Sequence, residues 1–189
     1  LVEDAAESIG TFYKLDRYKK KHTGTIGIIG CLSFNGNKII TTGGGGMILT
    51  DNKKIAKKAK YLTNQAKDDP IYSVHNEVGY NFRLPNILAA LGLAQLESLS
   101  KYIEKKKIIH KRYKKKINRI KYLSISNTPH YASCNHWLNV LEIEKNLTKK
   151  KISKIIKYFS KNNIEVRPLW HPNHLQKKYK NCQTYKLDN

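Results

Sequence analysis

Residues 31–47, from Cys31 to Met47, read CLSFNGNKIITTGGGGM. Their composition is unlike the rest of the chain. Between His22 and Asn52 stand one lysine, Lys38, no arginine and one acid, Asp51. The same window holds eight of the 11 glycines. Elsewhere lysine dominates: of 36 Lys and Arg, only residues 17, 83, 112, 119 and 167 are Arg. A lone amine among Ser, Thr, Asn and Gly, flanked by two apolar runs, is a candidate for partial desolvation. Desolvation favours the uncharged form of an amine, the form that condenses with a carbonyl. A strand-turn-strand with an exposed turn lysine is the other reading of the same pattern.

Working outward, Leu1–Ala6 is a short apolar run ending in acid. It predicts a buried parallel strand with Glu3 and Asp4 at its C-terminal end, where α/β folds place ligands. Asp4 could instead cap the turn that follows. Leu15–Lys20 predicts a solvated surface turn, and Ile26–Leu32 and Met47–Thr50 predict strands on either side of the Lys38 loop. Asp51–Lys67 predicts a helix capped by Asp51 or Asn52, with Ile55, Ala56, Ala59 and Leu62 as its buried stripe. Asp68–Glu77 reads as a loop. Asn86–Leu99 reads as an apolar helix whose pattern continues, now strongly basic, through Lys101–Ile120. Farther on, a strand is expected over Trp137–Ile143, a helix over Leu147–Ser160 capped by Thr148, and a strand over Ile164–Val166. His171 and His174, three apart with Pro172 between them, do not make a metal site.

The net charge of +22 raises a nucleic-acid reading. It is disfavoured because groove-reading surfaces lean on Arg, whereas this charge is mostly Lys spread over helix faces. Some of it could steer an anionic substrate. Hydrophobic content of 40% argues for a folded chain, and no apolar run reaches the about 18 residues of a membrane span. The three cysteines, Cys31, Cys134 and Cys182, are odd in number and widely spaced. Reduced thiols in a cytoplasm are the expectation.

Ser33-Phe34-Asn35-Gly36-Asn37-Lys38 followed by Gly43–Gly46 resembles the Schiff-base segment of the DegT/StrS-type nucleotide-sugar aminotransferases, which depend on pyridoxal 5′-phosphate. Val2–Glu7 before it and Gly79-Tyr80-Asn81-Phe82-Arg83 after it complete the resemblance, which runs over most of the 189 residues. Within the family it is most similar to enzymes that make 4-amino sugars for legionaminic acid, bacillosamine or perosamine. The resemblance implies an α/β fold, that of the fold-type-I aminotransferases. Residues 1–100 would be the later part of the large cofactor-binding domain, 101–120 a connecting helix, and 121–189 an incomplete small domain of α+β type. The family is roughly twice this long, so the chain reads as a fragment that lacks the N-terminal part and stops short after Leu187-Asp188-Asn189.

The resemblance also assigns roles. Lys38 would carry pyridoxal phosphate, Asp4 would face the ring nitrogen, and Ser33 would bind the phosphate. Glu7 stands where many relatives have Gln near the ring. Asn81 would reach the phosphate in the partner subunit of a homodimer with a shared active site, and Arg83 would order that loop or help bind an anion. Arg167 and His174 would contact substrate. The implied reaction moves an amino group from an amino-acid donor, glutamate, to the 4-keto carbon of a nucleotide-linked (UDP-linked) 6-deoxy sugar. Lys38 argues against the related dehydration chemistry, whose enzymes resemble this chain but have His at that position. A non-catalytic homologue and a basic binding module are the alternatives.

Overall fold

The computed structural model describes residues 1–183; the expected chain end at Leu187–Asn189 lies outside the described residues. The chain divides into two compact units, one running from Leu1 to Leu141 and the other from Glu142 onward.

The first unit opens with β1 (Val2–Asp4) and β2 (Phe12–Tyr13), followed by β3 (Ile29–Ser33) and β4 (Gly46–Leu49). β3 is the centre of a three-stranded sheet, parallel to β1 and antiparallel to β4. Val2 pairs with Ile29, Glu3 with Gly30 and Asp4 with Cys31. Val2–Asp4 of this run is thus a parallel strand as expected, but the strand is not buried: Val2 and Asp4 are exposed and Glu3 is half-covered, and only Ala5 just after it is buried. Among the described residues β1 is an edge strand, paired on one side only. The strand expected over Ile26–Leu32 starts at Ile29, because the backbone N–H groups of Gly24, Ile26 and Gly27 are committed to the Glu3 carboxylate instead of a ladder. At Gly30 an added Cβ would fall 1.9 Å from the Gly24 carbonyl oxygen, so the loop can lie against β3 only because this residue is glycine.

Helix α1 spans Lys53–Thr63, and Asn52 is its cap, accepting the N–H groups of Lys54 and Ile55. Ile55, Ala59 and Leu62 are half-buried, while Ala56, expected in the stripe, is exposed. The helix stops four residues before the expected Lys67. Gln65 (φ 65°) and Ala66 (φ 49°) turn left-handed and end the helical hydrogen bonding. The expected loop that follows contains a small hairpin, β5 (Lys67–Asp69) with β6 (Val74–His75), turned by Asp69, whose Oδ1 accepts the N–H groups of Ile71 and Tyr72.

The long helical pattern is two helices. α2 (Asn86–Glu97) ends at Ser98 (φ −98°, ψ 3°), and α3 (Leu99–Ile117) begins beside it. β7 (Leu123–Ile125) returns along α3, with Asn118 Oδ1 accepting the Ile125 N–H. β8 (Ala132–Ser133) pairs antiparallel with β2 and so brings the segment after it back to the start of the chain. The strand expected over Trp137–Ile143 is confined to β9 (Leu141–Ile143). Left-handed His136 (φ 51°) and side-chain hydrogen bonds of Asn135 break the extended run before it. The buried apolar residues of this unit are Ala5, Phe34, Ile40, Ala66, Ile125 and Trp137.

In the second unit α4 (Lys149–Lys161) is capped by Thr148, as expected, and half-buries Ile152, Ile155, Ile156 and Phe159 at helical spacing. Ile164–Val166 is not a strand. Apolar alternation there has no ladder partner among the described residues, and a strand exists only with one. No helix among the described residues is long and apolar enough to cross a membrane.

Candidate active site

The loop between β3 and β4 folds on its own backbone. Phe34 N–H donates to the Gly45 carbonyl at 3.0 Å and Thr42 N–H to the Phe34 carbonyl at 3.0 Å. Thr41 Oγ1 donates to the Phe34 carbonyl at 2.9 Å and accepts the Gly43 N–H at 2.8 Å. Gln95 of α2 accepts the Thr41 N–H at 3.0 Å and ties the loop to that helix. Gly45 (φ 106°) favours glycine for its left-handed backbone; an added Cβ would also meet Leu84 Cδ1 at 2.9 Å, a side-chain end that can move aside. Lys38 sits in the turn this frame creates, its N–H donating to the Asn35 carbonyl at 3.0 Å.

The Lys38 side chain is only 11% exposed. This is not the exposed turn lysine that composition alone left open. The charge-poor window nevertheless receives a carboxylate from outside it: Glu7 Oε1 lies 3.2 Å from Lys38 Nζ. Asp4 and Ser33 stand at the C-terminal ends of the adjacent parallel strands β1 and β3. Asp4 Oδ1 accepts the Ala6 N–H at 3.1 Å, the turn cap foreseen as its alternative role. A carboxylate has a second oxygen, so this contact leaves an acceptor for a ligand. Ser33 Oγ accepts the Asn35 N–H at 3.3 Å and keeps its own proton to donate. The structure therefore brings Lys38 together with Glu7, and sets Asp4 and Ser33 at neighbouring strand ends on the same sheet edge.

Asn81 and Arg83 are elsewhere. Residues 79–83 run beside the C-terminal end of α1, with Tyr80 and Phe82 donating N–H bonds to Leu62 and Thr63 and an isolated bridge joining Asn81 to Asn64. Both Asn81 and Arg83 are exposed. In the second unit Arg167 is exposed and paired with Glu165 (Nε to Oε1 2.8 Å), and His174 lies half-covered in a 3-10 turn, Asn173–Leu175.

Three residues of this neighbourhood have roles that were not foreseen, Glu3 having been expected only as an acid at a strand end. Glu3 is the acceptor of the three N–H groups that shape the loop before β3. Burial opposes its ionisation, but the N–H groups of Gly27, Gly24 and Ile26, with His22 beyond them, outweigh that and lower its pKa below 4.5. Trp137 lays its indole face 4.1 Å from Lys38 Nζ. Asn135, buried, reaches the carbonyls of Glu7 and Ile9. The Asn135 and Trp137 contacts span about a hundred residues of sequence, and no local pattern announces a pairing at that distance.

The donor set fits pyridoxal phosphate: a sheltered primary amine for its aldehyde, a carboxylate at a strand end for its ring nitrogen and a hydroxyl on the next strand for its phosphate. No group of three or more His, Cys, Asp or Glu side chains suited to a metal exists among the described residues.

The sequence pattern of the DegT/DnrJ/EryC1/StrS aminotransferase family matches residues 1–189. EpsN of Bacillus subtilis, classed among pyridoxal phosphate-dependent aminotransferases, is 42% identical over 178 residues, covering 93% of this chain and 43% of EpsN. GDP-perosamine synthase of Caulobacter vibrioides is 34% identical over 187 residues, covering 97% of this chain and 48% of the synthase. The crystal structure of a DegT/DnrJ/EryC1/StrS aminotransferase from Brucella abortus superimposes with a TM-score of 0.75 at 25% identity, covering 95% of this chain and 45% of that one. The chain spans about half the length of the curated relatives it matches.

Proposed function

Because this chain belongs to the DegT/DnrJ/EryC1/StrS aminotransferase family, we propose that its protein is an aminotransferase that uses pyridoxal 5′-phosphate to aminate a nucleotide-linked keto sugar. The observation that carries the reading is the sheltered Lys38 amine, held 3.2 Å from Glu7 on a glycine-closed loop between β3 and β4. When bound, pyridoxal phosphate supplies an aldehyde that captures an amine and a ring that withdraws electrons from the carbon losing a proton. Lys38 Nζ would hold that aldehyde, and Glu7 Oε1, 3.2 Å away, would orient Nζ when it is free. Asp4 holds the proton on the ring nitrogen, and Ser33 Oγ donates to the phosphate. Glutamate is the amino donor in this reading, and Lys38, as a free amine, would move the proton at the carbon being aminated.

The acceptor is proposed to be the 4-keto carbon of a 6-deoxy sugar. A uridine nucleotide is what the family resemblance implies, and the guanosine nucleotide named for the Caulobacter relative is its competitor. Arg167 and His174 are assigned to substrate contacts, and Asn81 to the phosphate of a second subunit. In this reading residues 1–100 belong to the cofactor-binding domain, 101–120 form the connecting helix and 121–189 belong to the small domain.

The test uses the full-length protein. After incubation with pyridoxal phosphate and reduction with borohydride, peptide mass spectrometry should find the pyridoxyl adduct on Lys38 and lose it in Lys38→Ala. An unmodified Lys38 peptide in the wild type would overturn the reading and favour a non-catalytic homologue. Glutamate-dependent amination of UDP-linked and GDP-linked 4-keto sugars then separates the two nucleotides.

A further inference from the structure

Lys38 Nζ has a second neighbour besides Glu7, the indole face of Trp137 at 4.1 Å from the ring centroid. A cation over an indole face is attracted by the ring quadrupole, most strongly where water is excluded. Both side chains are sheltered, Lys38 at 11% and Trp137 at 8% exposure. The ring is also fixed in place. Its Nε1–H donates to the Asn37 carbonyl at 2.7 Å, so the indole is tied to the residue next to the lysine it faces. Its backbone N–H donates to Asn135 Oδ1 at 3.0 Å. Asn135 is 3% exposed, and its Nδ2 donates at 2.9 Å to the carbonyls of both Glu7 and Ile9. Asn135 N–H in turn donates to Thr11 Oγ1 at 3.2 Å. One buried amide thus references both partners of the Lys38 amine, the Glu7 turn and the Trp137 ring, to a single point.

We infer that Trp137 is a positioning residue for Lys38: its indole face, braced by Asn135 and by the Asn37 carbonyl, holds the free amine against Glu7. The inference rests on the reading of Lys38 as the cofactor-binding amine. Nothing in the sequence near Lys38 supplies this surface; β8, paired with β2, delivers it from about a hundred residues away. The arrangement keeps the amine within reach of one spot when it is not bonded to cofactor. A flexible lysine would otherwise sample many rotamers and lose much of its effective concentration there.

The test measures the amine without cofactor, so that it answers even if the protein does not bind pyridoxal phosphate. Full-length apoprotein is acetylated with dilute acetic anhydride, and the rate at Lys38 is read by peptide mass spectrometry against exposed Lys53. Trp137→Leu, which removes the π face but stays apolar, should raise the Lys38 rate about fivefold, the factor that corresponds to a cation–π contact of about 1 kcal/mol. Trp137→Phe keeps a ring face and loses the Nε1 donor, and it should stay within about twofold of wild type if the face does the holding. An unchanged Lys38 rate in Trp137→Leu overturns the inference. Equal acceleration in Phe and Leu overturns it too, because the hydrogen bond to Asn37 would then be the active contact. Lys53 must keep its rate and the far-ultraviolet circular dichroism its shape in each variant; a variant that fails either control is replaced by Trp137→Tyr and Trp137→Met, with the same two criteria. Failure of borohydride trapping with an accelerated Trp137→Leu would sink the cofactor reading and leave the positioning contact standing.

Discussion

His136 occupies left-handed backbone (φ 51°) next to Trp137, and its ring stacks on His110 with centroids 4.0 Å apart and planes 23° from parallel. His110 is itself buried in α3, its Nδ1 2.9 Å from Asn139 Oδ1. Burial first, then the positive potential of His110, Lys107 and Lys114, lowers the His136 pKa from 6.5 to about 4. In the unfolded chain His136 takes up a proton near pH 6.5, while in the fold it stays neutral until about pH 4. Over that window the unfolded state binds more protons, so the stabilisation is full above the window and is lost as pH falls through it. His136→Asn removes the titration and suits a left-handed backbone. Melting temperature against pH should therefore fall less steeply in the variant between pH 6.5 and about 4; parallel curves would mean that His136 is already charged in the fold. Residue-scale legibility in the sequence was uneven for a physical reason. Lys38 stood out because its surroundings were emptied of charge. Trp137 and Asn135 carried no such mark, because their partners come from the other end of the unit and become neighbours only after β2 and β8 pair, and His136 meets its partner His110 only where the chain returns to α3.

At the scale of elements, periodicity and cap chemistry made α1, α2 and α4 legible, and the errors fall where side chains redirect the backbone. The expected α1 ran past Thr63 because nothing in lysine-rich composition marks where left-handed Gln65 and Ala66 end it. The long basic helix hid its break at Ser98, a residue that neither Gly nor Pro signals. Ile164–Val166 had strand-like residues but no partner, which a single segment cannot reveal. The Asn52 cap is testable by itself. Its Oδ1 accepts the N–H groups of Lys54 and Ile55 at 2.9 and 3.2 Å, at the start of a helix with no acid in its first turn. Asn52→Ala should lower stability by about 1 kcal/mol, whereas Asn52→Gly should cost only a few tenths. Urea unfolding of the two variants against wild type checks the order, and an equal loss in both would assign the effect to backbone conformation and not to the side-chain cap.

For the whole molecule the conspicuous feature is α2. It is apolar on every side, with the sequence NILAALGLAQLE, yet it has no fully buried residue. Ile87 is 83% exposed and Leu93 61%. A helix that is apolar all round belongs in an interior, because leaving a large apolar side chain wet forgoes about 1.5–3 kcal/mol. Phe82, stacked on Tyr80 just before the helix, is exposed as well. Gln95 on the same helix accepts the Thr41 N–H of the Lys38 loop, so the helix itself is tied to the site. The proposed homodimer supplies such a cover, and it predicts that burying a charge there separates the subunits. In sedimentation velocity the full-length wild type should run as a dimer and Ile87→Glu as a monomer with unchanged circular dichroism, since an unpaired buried carboxylate costs several kcal/mol at an interface. A variant that stays dimeric but melts earlier would place the cover within the same polypeptide, and one that changes neither property would leave α2 facing water. The high charge bears on the same balance. These 189 residues bring a formal net charge of +22 to each subunit, a repulsive contribution to association at low salt. Wild-type dimerisation should therefore tighten as salt is added, and that trend sets it apart from association held by ion pairs, which salt would loosen.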